Sequence, residues 1–364
     1  MRLKRFVYSL LFTGVLLGLI AYSVFQLPTF GGSFDGERLE RMKKSRQWVN
    51  GRFENDPPQS TELGLIKTMR RYSEGQIREP TFEVPVQKLT PADLPVPPPP
   101  GLRAYWFGHA SVLIDIDGTR VMTDPILSEY ASPFHVGPRR LHTVPIDMRD
   151  LPKVDAVVIS HDHYDHLDMD TVRAFAAKGT HFYVGLGIGA HLERWNIPPE
   201  QIHEMDWWES LKIGDVEIHC TPARHYSGRK RMNNSTLWAS WFVKGPKHSF
   251  YFSGDTGYAP HFEEIGKRLG GPDLALIKVG AYGETWLDIH MAPEPAVQAA
   301  RDLKAKFLLP VHWATFNLAY HSWDEPILRT LAEAAHKKVE LLTPRPGEKI
   351  EFGKPFENTK WYQP

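Results

Sequence analysis

Apolar and polar positions fall into three textures along the chain. From Phe6 to Phe25 run 20 residues without a charge. At a rise of about 1.5 Å per residue, such a run crosses a hydrocarbon layer of about 30 Å as one helix. Residues 31–100 are polar, with short apolar patches such as Leu39/Met42 and Leu63-Gly64-Leu65-Ile66. They close on Pro95-Val96-Pro97-Pro98-Pro99-Pro100-Gly101, which predicts an extended polyproline II stretch and a boundary. From Arg103 onward, short β-rich runs alternate with helical periodicity. Strands are predicted at 104–107, 111–116, 120–123, 155–160, 181–184, 216–220, 236–243, 249–253, 274–279, 306–311 and 339–343. Helices are predicted to start near Asp168, Gly187, Pro260, Pro293 and Asp324. Asp168 and Asp324 suit N-caps, and Pro293 and Pro326 suit first turns. In the last helix Ile327, Leu328, Leu331 and Ala335 share one face. Strands and helices in this alternation predict an α/β chain of layered sheets covered by helices. The expected division is 1–30 for the apolar helix (6–25), 31–100 for a polar extension and Pro-rich linker, and 101–364 for the main domain.

Charge around the first segment gives it an orientation. Arg2, Lys4 and Arg5 precede the apolar run, and the next basic residue is Arg38. That asymmetry predicts a single-pass anchor in the inner membrane, with the N-terminus cytoplasmic and the remainder periplasmic. A cleaved secretory signal is the competing reading, but its apolar run would be long and no small-x-small site precedes Gln26-Leu27-Pro28. A buried core helix is the third. No cysteine follows closely, which excludes a lipoprotein anchor.

Over the whole chain 43 basic and 43 acidic residues cancel, so no nucleic-acid partner is expected. With Cys220 as the one cysteine, an internal disulfide and a cysteine-based zinc or iron–sulfur site are excluded. The unusual residue is histidine, with 17 copies.

Three of them, with acidic neighbours, form the centre of the sequence. The buried-strand run Val157-Val158-Ile159-Ser160 leads into His161-Asp162-His163-Tyr164-Asp165-His166-Leu167-Asp168. Imidazoles with a carboxylate and no thiolate suit Zn, Mn or Fe(II). Three more β-runs end on a His or Asp in a loop, at His225, Asp255 and His312. Each alone is weak, since a lone His after a strand is usually a hydrogen-bonded structural residue and Asp255 between glycines suits a turn. Together they make seven ligands, enough for two metals sharing one carboxylate with a position open to water.

His161-x-His163-x-Asp165-His166 followed by His225, Asp255 and His312 resembles the metallo-β-lactamase superfamily signature in number and order. Within it the chain is most similar to the N-acylphosphatidylethanolamine-hydrolysing phospholipase D family and its bacterial relatives. Gly108-His109-Ala110-Ser111-Val112, Thr123-Asp124-Pro125-Ile126, Asp206-Trp207-Trp208-Glu209, Ser253-Gly254-Asp255-Thr256-Gly257-Tyr258 and Glu263-Glu264-Ile265-Gly266-Lys267-Arg268 carry that likeness, as do His290-Met291 and His312-Trp313. The resemblance implies an αββα sandwich with the metals at one edge between two sheets. It implies His161, His163 and His225 on one divalent ion, Asp165, His166 and His312 on the other, and Asp255 bridging. Zinc is the expected metal, with Mn or Fe(II) as alternatives. Two departures bear on the lipid. The loop between Ser132 and Pro138 is one residue shorter than in the animal enzyme, and the span at 6–25 is not part of that enzyme's pattern.

The implied reaction is cleavage of a phosphodiester in N-acyl-phosphatidylethanolamine, giving N-acylethanolamine and phosphatidic acid. Its alkoxide leaving group needs a proton or a metal contact. His290, just before a Pro-Glu helix start, is the candidate donor. Tyr164 is a candidate contact to substrate oxygen, Asp165 belongs to the catalytic centre, and His109 is expected to orient a ligand. Cys220 is expected to be a buried small hydrophobe. Trp207, Trp208, Trp286, Trp313 and Phe316 line an acyl groove or fill core. A lactonase or another phosphate-ester hydrolase on the same site is the alternative activity. A non-catalytic metal-stabilised envelope protein is disfavoured, because structural zinc sites are closed and four-coordinate. The partners expected are the phospholipid and the membrane, and a homodimer is compatible with the sequence.

Overall fold

The computed structural model describes residues 2–59, 70 and 76–363. The apolar patch at 63–66 lies outside the described residues. Strands β1 (Trp48–Val49) and β2 (Arg52–Phe53) form a small hairpin. The first large sheet contains β3 (Leu102–Gly108), β4 (Ser111–Ile116), β5 (Thr119–Thr123), β6 (Ala156–Ile159), β7 (His181–Gly185), β8 (Ile202–Met205) and β15 (Lys349–Glu351), in the order β15-β3-β4-β5-β6-β7-β8. The second contains β9 (Ser210–Ile213), β10 (Val216–Thr221), β11 (Ser240–Lys244), β12 (Ser249–Phe252), β13 (Leu274–Lys278) and β14 (Phe307–Val311), in the order β14-β13-β12-β11-β10-β9. Each sheet is antiparallel on one side and parallel on the other.

Strand periodicity separates the two faces of the first sheet. Val112, Ile114, Ala156 and Val158 join Trp241, Phe250 and Leu276 of the second sheet in the central core. Leu113, Val157 and Ile159 point the other way, against Val172, Phe175 and Leu192 from the helices Met169–Ala176 and Gly189–Arg194. On the outside of the second sheet lie His261–Leu269, Pro293–Asp302 and Glu325–Lys337, which bury Phe262, Ile265, Val297 and Ile327. The result is the expected αββα sandwich. Cys220 is fully buried in the central core, as expected.

Before the sandwich, one apolar helix spans Arg2–Val24, and none of its window Lys4–Val24 is buried against the protein. The polar segment then returns to the domain. Its helix Gly36–Lys43 and hairpin bury Met42 and Phe53 against Leu186, Leu237 and Trp238. Carbonyls of the proline run are taken up by arginines: Arg120 Nη2 donates to Pro95 (3.1 Å) and Arg103 Nη1 to Pro100 (3.0 Å).

Several local expectations need correction. Residues 339–343 form only an isolated bridge, Leu341 to Leu308 at the β14 edge of the second sheet, and the unpredicted β15 follows at the β3 edge of the first. The expected strand 236–243 starts at Ser240, because Leu237 and Ala239 send their N–H groups across to Leu186 and Ser160 of the first sheet's loops. Asp168 caps its helix through Asp170 N, whereas Asp324 has helical backbone and makes no side-chain cap. The buried stripe of the last helix runs Ile327, Thr330, Ala334, which leaves Leu328 and Ala335 outside.

Candidate metal centre

Four strands of both sheets end at one edge, and each delivers its part of the centre there. β6 ends at Ile159, and the loop 160–168 carries His161, His163, Asp165 and His166 to the capped helix Met169–Ala176. His225 follows β10, Asp255 follows β12 and His312 follows β14. Gly254 allows the close approach of the two sheets: its φ is +55°, and a Cβ there would stand 2.4 Å from Ser160 Cβ. His109, Asp124 and His312 are non-glycine residues with left-handed backbone, at φ of 51°, 29° and 67°. Such positions cost about 1–3 kcal/mol each and collect at functional sites.

All seven expected residues meet in two groups. In the first, His163 Nδ1 lies 2.8 Å from His161 Nε2 and 3.4 Å from His225 Nε2. In the second, His312 Nε2 lies 3.1 Å from His166 Nε2, and Asp165 Oδ2 is 3.3 Å and 3.4 Å from those same nitrogens. Asp255 stands between them. Its Oδ1 is 3.2 Å from His312 Nε2, and its Oδ2 is 3.4 Å from His166 Nε2 and 3.9 Å from His225 Nε2. Both groups contain ligand atoms close enough to hold an ion together. Ligands on one tetrahedral zinc stand about 3.3 Å apart, given bonds of about 2.0 Å.

The chemistry of the donors fits a cation as well as their spacing does. Burial pushes the imidazolium pKa of His161 and His225 well down, which leaves them neutral, the form that ligates. Burial works against ionisation of Asp255, but His312 and His166 outweigh it and hold that carboxyl well below the usual range. Asp255 Oδ1 is nevertheless buried without a hydrogen-bond donor. His161 and His225 as neutral imidazoles, and Asp255 as an ionised carboxylate with one oxygen unpartnered, are donors that suit a divalent metal.

Supporting contacts fix which ring nitrogen faces inward. Asp124 Oδ2 lies 2.6 Å from His166 Nδ1, and Asp124 also accepts from Ser160 N (2.7 Å) and Ser160 Oγ (2.5 Å). His225 Nδ1 pairs with the Ile289 carbonyl at 3.0 Å. His109 Nε2 sits 3.0 Å from Asp165 Oδ2, and its carbonyl accepts from His312 N at 2.9 Å. The orienting part expected of His109 matches this geometry. Asp124 was quoted in the sequence only as part of a motif, and its service to His166 was missed.

His290 is brought in and Tyr164 is not. His290 Nε2 is 3.7 Å from Asp255 Oδ2, its ring is 4.9 Å from that of His225, and its Nδ1 is buried without a partner. Tyr164 instead donates its hydroxyl to the Arg229 carbonyl (3.0 Å) and lies under the Arg229 guanidinium at 4.1 Å. The hydroxyl expected either to touch substrate oxygen or simply to pack is thus engaged with a backbone carbonyl. Lys278, unnoticed in the sequence, is fully buried at the end of β13, with Nζ on the Gly280 carbonyl (2.6 Å). Burial pushes its pKa down to about 8.

Most of the aromatics fill core. Trp313 stacks on Trp106 and Trp361 at 5.5 and 5.1 Å, and Trp207 Nε1 donates to the Trp238 carbonyl. Trp208 carries the Arg268 guanidinium 4.0 Å from its ring. The motifs Asp206-Trp207-Trp208-Glu209 and Glu263-Glu264-Ile265-Gly266-Lys267-Arg268 therefore pack against each other.

Comparison with known proteins places these residues in context. The family model described as the beta-lactamase superfamily domain matches residues 119–313. An uncharacterised protein of Mycobacterium bovis is 48% identical over 267 residues, 72% of each chain. An N-acyl-phosphatidylethanolamine-hydrolyzing phospholipase D of Caenorhabditis elegans is 37% identical over 60% of this chain and 65% of its own. Among solved structures, a metallo hydrolase of Ignicoccus hospitalis superposes with a TM-score of 0.54 at 22% identity, over 70% of this chain and 99% of its own.

Proposed function

Because this chain belongs to the beta-lactamase superfamily and is a metal-dependent hydrolase of that fold, we propose that it cleaves a phosphodiester bond of N-acyl-phosphatidylethanolamine, releasing N-acylethanolamine and phosphatidic acid. The observation that carries this reading is the pair of ligand groups joined through Asp255. The similarity to the nematode phospholipase D supplies the substrate class. His161, His163 and His225 would hold one divalent ion, and Asp165, His166 and His312 the other, zinc by donor type. Two bound ions supply a water acidic enough to be deprotonated near neutral pH and positive charge against the phosphoryl oxygens.

The protein's own groups do the rest. Asp124, His109 and the Ile289 carbonyl keep His166, Asp165 and His225 aimed inward. The oxygen of water forms a bond to phosphorus, and the bond from phosphorus to the ethanolamine oxygen breaks. That leaving oxygen takes the proton the water gives up, and His290, held neutral by burial with its Nε2 3.7 Å from Asp255 Oδ2, is the side chain that would relay it.

The helix Arg2–Val24 would anchor the enzyme in the inner membrane, where its lipid substrate resides. Its apolar side chains have no protein to bury against, and Arg2, Lys4 and Arg5 favour the cytoplasmic side for the N-terminus. The catalytic domain then works from the periplasmic face.

The test is a lipid-product assay on the full-length protein in mixed micelles, with mass spectrometry of products. Phosphatidic acid and N-acylethanolamine in equal amounts are expected. Faster opening of lactones than cleavage of any phosphodiester would replace this reading with the lactonase one.

A further inference from the structure

We propose that the cleft where the chain leaves the helix Arg2–Val24 binds the phosphate headgroup of an anionic phospholipid, separate from the lipid that reacts at the metal centre. The proposal rests on the reading of that helix as a membrane anchor. A cavity of about 480 Å³ opens between residues 25–34 and the loop 229–235, with Phe25, Phe30, Arg194, Lys230 and Arg231 among its walls. Arg194, Lys230 and Arg231 are exposed, and Arg229 is buried behind them. Among the described residues none of these four cations forms an ion pair. Glu193, next to Arg194, is taken by Arg38 at 2.6 Å, and Glu204 is taken by the same guanidinium at 2.7 Å. In a chain whose charges cancel overall, the three exposed cations Arg194, Lys230 and Arg231, none of them in an ion pair among the described residues, form a local anion site.

Position and apolar neighbours select a lipid over a free phosphate. Phe25 and Leu27, just beyond the helix, are 44% and 42% exposed. The rings of Phe25 and Phe30 are 5.2 Å apart, and Phe30 is 6.0 Å from Phe134, so an aromatic rim borders the cations. Aromatic and basic side chains at the end of a span sit at headgroup depth. The segment is strapped there: Arg194 donates to Gln26 O (3.0 Å), Trp195 Nε1 to Pro28 O (2.7 Å) and Arg229 Nε to Thr29 O (2.9 Å).

The same strap reaches the metal loop. Gly32 N donates to His191 Nδ1 (3.0 Å), and His191 Nε2 is 3.3 Å from Asp162, the residue between His161 and His163. Arg229 Nη1 donates to the carbonyls of Asp162 (2.9 Å) and Leu167 (2.8 Å). A headgroup in the cleft therefore sits against the segment that flanks the catalytic loop.

Native mass spectrometry of the detergent-solubilised full chain, offered phosphatidylglycerol or phosphatidylcholine, tests the site. Selective retention of phosphatidylglycerol is expected, weakened about tenfold to thirtyfold in the double variant Lys230→Gln, Arg231→Gln. Turnover of a soluble nitrophenyl diester should be unchanged in that variant, which shows that it is folded. Equal retention of the two lipids, or undiminished retention in the folded variant, would overturn the proposal. Displacement of the lipid by inorganic phosphate at comparable concentration would assign the cleft to free phosphate instead. Alkaline carbonate washing of vesicles carrying the protein separates the two readings. Release into the supernatant ends the anchor reading and this proposal with it, whereas retention without lipid selectivity ends the cleft alone.

Discussion

Asp124 and His166 are 42 positions apart in sequence, yet Asp124 Oδ2 lies 2.6 Å from His166 Nδ1 with both side chains fully buried. The contact leaves His166 Nε2 as the nitrogen that faces His312 and Asp255. Carboxylates in this position orient a ligating ring and raise its basicity. Asp124→Asn should therefore lower metal affinity about 10–100-fold while the fold survives. Titration with zinc against a competing chelator checks this, and an unchanged affinity would remove Asp124 from the supporting role.

Asp255 faces both groups. Its two oxygens reach His312, His166 and His225. Asp255→Ala should lose at least one metal and nearly all turnover, because the cations lose the carboxylate between them. Normal turnover in a variant with normal metal content would end the bridging assignment.

If His290 protonates the leaving alcohol, its loss should hurt the chemistry and spare the metals. General acids contribute about 10²–10⁴-fold, so His290→Ala should fall in that range on a lipid diester. On a nitrophenyl diester, whose leaving group needs little protonation, most of the rate should return. Equal losses on both substrates with metals retained would make His290 a phosphate-positioning residue.

Acid stability provides an independent check away from the centre. Burial, helped by Arg140, pushes the pKa of His142 down to about 3. Between that value and the ordinary one near 6.5, the unfolded chain binds a proton that the folded chain does not. Stability from this residue is therefore complete above about pH 6.5 and is lost as pH falls toward 3, at up to about 1.4 kcal/mol per pH unit. Denaturant unfolding at several pH values should show a shallower acid slope for His142→Gln than for the parent. Parallel slopes would contradict the assignment.

Topology of the anchor is measurable with reporters. If the helix Arg2–Val24 anchors the chain with its N-terminus cytoplasmic, a phosphatase fused after Pro364 should be active, whereas a reporter that works only in the cytoplasm should be silent. The reverse pattern would invert the chain in the membrane.

Legibility in the sequence followed sequence distance. The loop His161–His166 was readable because four potential ligands fall within six residues behind a buried strand, and the later His225, Asp255 and His312 each follow a β-run. Central strands were readable for a similar reason, since β4, β6 and β13 are buried along their whole length. Of the four edge strands of the two large sheets, β14 was readable and β8, β9 and β15 were not. Ser210–Ile213 is mostly exposed and Lys349–Glu351 is charged at both ends, so neither carries a strong apolar signal. The supporting contacts were illegible because they are tertiary: Asp124 reaches forward to His166, and Arg229 turns Tyr164 away from the cluster. In the last helix the packing partner chose Thr330 and Ala334 over the more apolar Leu328, which periodicity alone could not foresee.

The most direct measurement is the metal content of the purified full-length protein, by elemental analysis after saturation with zinc and removal of loosely bound ions, read alongside activity on N-acyl-phosphatidylethanolamine. Two metals per chain are expected, with activity that disappears as they are stripped by chelator and returns as two are restored. Full activity with no more than one metal per chain would contradict that expectation.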